Sequence, residues 1–531
     1  MSNPTGRRTA VVIGAGIAGL TAAKSLSQAF DTVVVVDRDE LPDGGRPRRG
    51  VPQGQHSHVL LVAGQRALEE LFPGLGEELV AAGAQVFDSG ADLHLYRLGA
   101  AWNPVHSGQP FVSMSRPLLE YTIRRRVQAL PNVTVRPNTS VSGLGGADGR
   151  VTEVLLDGER LSADLVVDTT GRGSRSDRWL AALGFPTPEV EEVKVNVGYV
   201  SRIYRHTPGD LDVKAAFVQP TPPAEKRIGA ALLIEDDQWL VSVGGWHRDY
   251  PAATEDGFLA HAESLPDPII AKLVRQAEPL TEPVAFQYPA NRRRHFEELT
   301  QVPAGYLALG DAICSFNPLY GQGMTCAAQE ALALGRLLAE HEGVTADLAR
   351  AFYQEAAGVL FVPWQAAIGG DFDYAETAGR RPYAAELFGR YSTQAQLAAQ
   401  VSGEVRKVIL SVQHLLASPM ALWEPSLTAE IVRAARHEPE GTQPQFGHGG
   451  HGRPLWTAED RDAERIRAAL REAGLVEFSD KAPGFAVEGG APILVARLDG
   501  GDRDDYVAPI TAAGFTAAAD PEDPTLLRVT A

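Results

Sequence analysis

Two cysteines in 531 residues, Cys314 and Cys326, are too few for a disulfide framework, and their spacing is not that of a metal motif. Both are expected in or beside a core helix as small apolar residues. No apolar run reaches the roughly 18 residues that a membrane-spanning helix needs. Positive charge is also short, with 49 Lys and Arg against 67 Asp and Glu and a formal net charge of −18. That balance argues against nucleic acid or an anionic membrane as the main partner. Residues 1–9 form a short polar lead, and the apolar stretch 10–13 is too short for a secretory signal. These absences lead to the expectation of a soluble, cytoplasmic protein. The hydrophobic fraction, 44%, is ordinary for a globular chain, and the length allows several domains.

What is present begins at Ala10-Val11-Val12-Ile13-Gly14-Ala15-Gly16-Ile17-Ala18-Gly19-Leu20. An apolar β-forming run ends in G-x-G-x-x-G, and a helical stretch to Gln28 follows. A second apolar strand, 32–36, then ends in Asp37. In a nucleotide-binding βαβ unit each of these residues has a role. Gly14 permits the tight turn, Gly16 lets backbone approach a pyrophosphate, and Gly19 lets helix and strand pack closely. The helix start offers free N–H groups and partial positive charge to phosphates. Asp37 stands where a carboxylate can accept ribose hydroxyls, which disfavours NADP and allows FAD or NAD.

Further along, Gly, Pro and charge make 39–52 a loop. Helices are expected over 58–72 and 116–130, short strands within 86–112, and a strand at 133–135. A hairpin is expected around Asp157-Gly158. Ala163 to Asp168 reads as another parallel strand, running into Thr169-Thr170-Gly171-Arg172. Residues 181–290 change character. Four strand-like segments separated by polar turns suggest an antiparallel sheet inserted into the α/β layer, a plausible substrate-facing surface. The run Asn291-Arg292-Arg293-Arg294-His295 is expected to be a solvated basic turn. Tyr306 to Leu309 returns to a buried strand, followed by Gly310-Asp311 and a glycine-rich loop, 317–323, that leads into a helix from Met324. Residues 345–437 read as helical, broken at Pro363, Gly369-Gly370 and Pro419. The Gly-rich stretch 439–454 reads as a linker, and His448 and His451 within it lack a third metal ligand. Thr457, with Asp460 three residues on, starts a helix with a capping-box variant. Strands and a short helix follow to 529, a separate small module.

The first Gly-rich turn with Asp37, then Asp168-Thr169-Thr170-Gly171, then Gly310-Asp311 with Pro318-Leu319-Tyr320-Gly321-Gln322-Gly323, together resemble the FAD-dependent class A monooxygenases, the para-hydroxybenzoate-hydroxylase-like flavoproteins. The segments Arg48 to His58 and Ser115 to Leu119 look closest to bacterial polyketide epoxidases. The resemblance covers about residues 8–345. It implies an α/β fold with a Rossmann-like FAD-binding domain and an inserted antiparallel substrate domain, to which the sequence pattern beyond it adds a helical extension and a small C-terminal α/β module. The implied division is 1–180 and 295–345 for FAD binding, 181–294 for the substrate-facing sheet, 346–438 helical, 439–456 linker and 457–531 module. The implied cofactor contacts are Gly14, Gly16, Ile17, Ala18, Gly19, Asp37, Arg38, Arg49, Arg116, Val141, Thr170, Gly171, Gly310, Asp311, Pro318, Gly321, Gly323 and Met324. In the family an aspartate placed as Asp311 is holds the ribityl chain. The end of the helix from Met324 can steady negative charge on reduced flavin.

The activity so implied is epoxidation or hydroxylation of a hydrophobic polyketide-like molecule in bacterial secondary metabolism, through a flavin C4a-hydroperoxide. The cofactor then carries the chemistry, and neither a catalytic side chain nor a metal is singled out. One departure stands out. Family hydroxylases follow this aspartate directly with glycine, whereas two threonines separate Asp168 from Gly171 here. The electron source is therefore left open between NAD(P)H and a separate flavin reductase. Two other readings stay open: a flavoprotein [4+2] cyclase that uses FAD structurally, and a non-catalytic flavin-binding partner. Halogenation is disfavoured, since no Trp-x-Trp-x-Ile-Pro stretch occurs. Oligomeric state is not legible.

Overall fold

The computed structural model describes residues 8–438 and 442–531. The expected lead at 1–7 and the linker positions 439–441 lie outside the described residues. The chain groups into two compact units, one of residues up to 88 with 110–380, the other of 89–109 with 381–531.

The first unit is built on a five-stranded parallel sheet. Its order is Tyr306–Ala308, Leu165–Asp168, Thr9–Ile13, Thr32–Val36, Val133–Arg136. The three central strands are nearly continuous Val, Ile and Leu runs, the composition of strands covered on both faces. Val11, Val12, Val33, Val35, Val166 and Val167 are fully buried. Helix Ile17–Leu26 packs against helix Gly323–Glu340. The Ser25 hydroxyl donates to Ala331 O at 2.6 Å across that contact.

Six strands of the inserted antiparallel layer lie in the same unit, in the order Cys314–Ser315, Val284–Arg294, Val190–Arg205, Gln238–Gly245, Arg227–Ile234, Ala215–Val218. Register places Tyr199 opposite Phe286 and Ser201 opposite Ser242. Because strand side chains alternate, Tyr199 and Ser201 share one face. Two helices missing from the sequence reading, Glu255–Glu263 and Ile269–Gln276, follow these strands.

Two expectations are corrected. The basic run 291–295 is not a solvated turn. It ends strand Val284–Arg294, where Asn291 is 0% and Arg294 1% exposed. Arg294 is held by Asp177 at 3.3 Å, Ala312 O at 3.0 Å and Ser174 O at 3.2 Å, so its charge and donors are satisfied inside. Nor is helix Ala346–Asp371 broken, since it runs through Pro363 and through Gly369-Gly370. At Gly370 the reason is packing, because a methyl there would sit 2.5 Å from the Tyr320 hydroxyl. Both cysteines are buried as free thiols, Cys314 in a strand and Cys326 in a helix.

The second unit holds helices Ala385–Val401, Gly403–Gln413 and Pro425–Ala434, then a four-stranded antiparallel sheet in the order Phe485–Glu488, Ile493–Arg497, Leu526–Thr530, Thr516–Ala519. Helices Ala458–Glu472 and Arg503–Ala512 cover it around Ile466, Leu470, Tyr506 and Ile510. Both halves of the Thr457–Asp460 capping box form.

Candidate functional site

The three sequence motifs meet at the carboxyl ends of the parallel strands, the place where open α/β sheets bind ligands. Gly14 turns out of the first strand at φ +109°, and a methyl on it would lie 2.8 Å from Thr169 O. Gly310 has φ +67°, and a methyl there would lie 2.8 Å from the Ala18 methyl. Gly171 has φ +77°, and a methyl there would lie 3.9 Å from the Asp311 Cβ. Each motif thus approaches the other two, and at Gly14 and Gly310 only glycine leaves room.

Helix Ile17–Leu26 starts without a side-chain cap and with no acid in its first turn, and helix Gly323–Glu340 starts the same way. Neither end is capped by a side chain, so N–H groups of both first turns stay free for a ligand. The second follows the short 3-10 turn Pro318–Tyr320 and Gly321, whose φ is +68°. Met324 is its second residue. Close to this end, Gln322 Oε1 and Thr325 Oγ1 are buried without a hydrogen-bond partner among the described residues.

Asp37 is buried, and its carboxylate accepts Ala15 N at 2.7 Å and Asp39 N at 2.8 Å. Arg48 Nη1 lies 3.3 Å from both of its oxygens. The same guanidinium reaches Asp39 at 2.9 Å and Glu120 at 2.7 Å. Thr139 N donates to Asp37 O at 2.7 Å, which brings the approach to Val141, first residue of strand Val141–Ala147, beside this turn. Arg38 and Arg49 are exposed. Of the two adjacent arginines it is Arg48, absent from the sequence-based set, that joins Asp37.

Arg116 is buried as the first residue of helix Arg116–Gln128, which Ser115 caps through Leu118 N. It pairs with Glu120 one turn on, at 3.2 Å. Asp168, 0% exposed, accepts Thr170 N, Thr170 Oγ1, Ser174 Oγ and Tyr306 Oη at 2.9, 2.6, 2.6 and 3.1 Å. Of the two threonines that separate it from Gly171, Thr170 serves this carboxylate, whereas Thr169 bonds Ile13 O at 2.8 Å and Gly14 O at 3.2 Å in the first turn. Asp311 has no such partners among the described residues. Burial pushes its pKa up to about 6, against the opposing pull of Arg116 and Arg172. Its neighbour Gly310 donates N–H to Glu330 at 2.6 Å, a carboxyl that burial raises to about 8.

Segment 56–59 runs from this site to the antiparallel sheet. His56 is fully buried, its ring 4.9 Å from Tyr199 and 5.7 Å from Phe286. Its Nδ1 bonds Ser201 Oγ at 2.7 Å, Ser201 bonds Ser242 at 2.5 Å, and Ser242 bonds Ser57 at 2.7 Å. Burial lowers the His56 pKa to about 4, so the ring is neutral at pH 7. His58 is lowered to about 3 by burial and then by Arg116. Val59 O stands 3.5 Å from a methyl placed on Gly321. The serine chain was invisible in the sequence because it is assembled from three distant segments.

A family model described as an FAD binding domain matches residues 7–351. The chain is similar to protein Rv3254 of Mycobacterium tuberculosis, 35% identical over 383 residues that cover 69% of this chain and 80% of that one. Among solved structures, an HpxO variant from Klebsiella pneumoniae in complex with FAD aligns with TM-score 0.56 at 17% identity, over 77% of this chain and 99% of that one. The Diels-Alderase PyrE3 of pyrroindomycin biosynthesis aligns with TM-score 0.51 at 17% identity, over 77% and 81%. These structural likenesses establish the fold. The glycine contacts, two uncapped helix starts, unpartnered polar atoms at Gln322 and Thr325, and the open carboxylate of Asp311 form a donor and acceptor set that fits FAD. Among the described residues no helix is long and apolar enough to cross a membrane.

Proposed function

The chain belongs to the FAD-binding-domain family of class A flavin monooxygenases, and we propose that it epoxidises or hydroxylates a hydrophobic, polyketide-like small molecule. The observation that carries this reading is the course of segment 56–59. At one end His56 lies on the Tyr199–Phe286 face of the antiparallel sheet, and at the other Val59 lies against Gly321 of the proposed flavin loop. An aromatic surface beside the cofactor loop suits an apolar substrate.

In this reading the turn 14–19 and the start of helix Ile17–Leu26 hold the pyrophosphate, Asp37 with Arg48 the adenosine ribose, Asp311 the ribityl chain, and residues 318–324 the ring. When bound, FAD supplies electron storage and the activation of dioxygen. The protein's task is to bind, to orient and to keep water out. Neutral His56, with Ser201, Ser242 and Ser57, provides hydrogen bonding without placing a charge under the substrate. NAD(P)H or a separate flavin reductase supplies electrons.

The reading is tested by oxygen uptake of FAD-loaded protein, with NADPH or a flavin reductase present, against a panel of apolar unsaturated polyketides. Uptake coupled to product supports it. Conversion of a panel member to an isomer without oxygen favours the cyclase instead.

A further inference from the structure

Asp371, the last residue of helix Ala346–Asp371, is 0% exposed and lies outside every motif discussed so far. Four side chains donate to its carboxylate. Oδ1 accepts Asn317 Nδ2 at 2.8 Å, Trp246 Nε1 at 2.8 Å and Tyr320 Oη at 3.2 Å, and Oδ2 accepts Asn291 Nδ2 at 2.6 Å. Two donors, Asn317 and Tyr320, belong to the loop that precedes helix Gly323–Glu340. The other two belong to the antiparallel layer, with Trp246 directly after strand Gln238–Gly245 and Asn291 within Val284–Arg294. Asn291 also accepts Asn317 N through Oδ1. Asn317 Oδ1 in turn accepts Leu319 N at 3.2 Å and so shapes the turn. Every polar atom of the Asn317 side chain is thereby committed. The Tyr320 hydroxyl is admitted to this cluster only because residue 370 is glycine.

We propose that Asp371 is the positioning residue of the flavin-facing loop 317–321, and that it fixes this loop to the substrate-facing sheet through one shared carboxylate. The proposal rests on the FAD reading above. The carboxylate is suited to the task because it can accept at both oxygens at once, whereas an amide cannot. Burial raises its pKa to about 6 even against the pull of its four donors, so it is ionised at pH 8. A buried carboxylate with four donors has one low-energy arrangement, and a loop tied to it by two residues shares that arrangement. The helix that carries it reaches the cluster only because it continues past Pro363, Gly369 and Gly370.

The test uses the full chain at pH 8 with FAD as the titrant, following flavin fluorescence, the visible flavin bands and the melting temperature. Asp371→Asn turns an NH2 toward the NH2 of Asn291. FAD affinity should fall by about tenfold or more, the effect of one charge-assisted hydrogen bond, and the flavin bands should shift. The paired exchange Asp371→Asn with Asn291→Asp reverses that contact and keeps an acceptor for Asn317 N. It should restore both the affinity and the bands. Trp246→Phe removes one donor from the sheet side and should move the bands although it leaves the loop untouched. A merely structural role predicts a lower melting temperature with wild-type affinity and bands in Asp371→Asn, and that result overturns the proposal. So does a paired variant that melts like wild type yet stays weak. Should Asp371→Asn fail to fold, Trp246→Phe decides by the same readouts. Wild-type protein that binds no FAD would instead overturn the functional reading on which the proposal rests.

Discussion

The Arg48 guanidinium lies 3.3 Å from both carboxylate oxygens of Asp37, at the end of the second parallel strand. With Ala15 N and Asp39 N also bound, the carboxylate is held in place before any ligand arrives. Asp37→Ala should lower FAD affinity by about tenfold or more, measured by fluorescence titration. Arg48→Ala should act mainly on stability. It leaves Asp37 and Glu120 buried without this cation, a loss of about 3–5 kcal/mol, read from urea unfolding of the flavin-free protein. Wild-type FAD affinity in Asp37→Ala would show that the ribose lies elsewhere.

Asp311 links pH to both stability and binding. In the flavin-free protein burial raises its pKa from 3.8 to about 6. Between those values the folded chain keeps a proton that the unfolded chain has released. Stability therefore falls as pH rises through this window, and the cost is complete above it. Asp311→Asn should raise the melting temperature of the flavin-free protein at pH 7.5 and weaken FAD binding at the same pH. Unchanged melting and unchanged affinity together would remove Asp311 from the site.

Gly19 is fixed by backbone. A methyl there would lie 1.9 Å from Gly14 O, which belongs to the turn itself and cannot move aside as a side chain tip could. Gly19→Ala should cost more than about 3 kcal/mol and abolish FAD retention on gel filtration. Soluble, flavin-loaded Gly19→Ala protein would contradict the packing.

The parallel layer was legible because its signals are local. Val and Ile runs mark the strands, Gly14 and Gly310 mark turns that other residues cannot make, and Gly19 marks the close packing of the first helix. What was missed depends on partners far along the chain. Arg48 and Arg49 are equivalent in sequence, and only Asp37, Asp39 and Glu120 distinguish them. The run 291–295 looked solvated because nothing nearby reveals Asp177, Ser174 and Ala312 waiting for Arg294. Gly369-Gly370 looked like a helix end, when one of the pair is the seat of Tyr320. Asp371 has no motif at all, and only the fold gathers its donors.

His295 supplies a pH test away from the cofactor. Hydrogen bonds that its ring donates to the Glu191 and Glu297 carboxylates raise its pKa from 6.5 to about 9. Because the folded value is the higher one, the stabilisation is complete below pH 6.5 and is lost as pH rises through about 9. Unfolding free energy should therefore decline across that window in the wild type, and His295→Gln should flatten this part of the profile. An identical slope in both proteins would exclude the cluster as its source.

The central claim is that bound FAD turns over and passes oxygen to an apolar substrate. The most direct measurement is turnover of an accepted polyketide under ¹⁸O₂ with a reductant, followed by mass spectrometry, and again anaerobically with oxidised FAD. One ¹⁸O atom per product molecule, and no product without dioxygen and reductant, is the expected result. Full conversion in the anaerobic tube to an isomer of unchanged mass would contradict it.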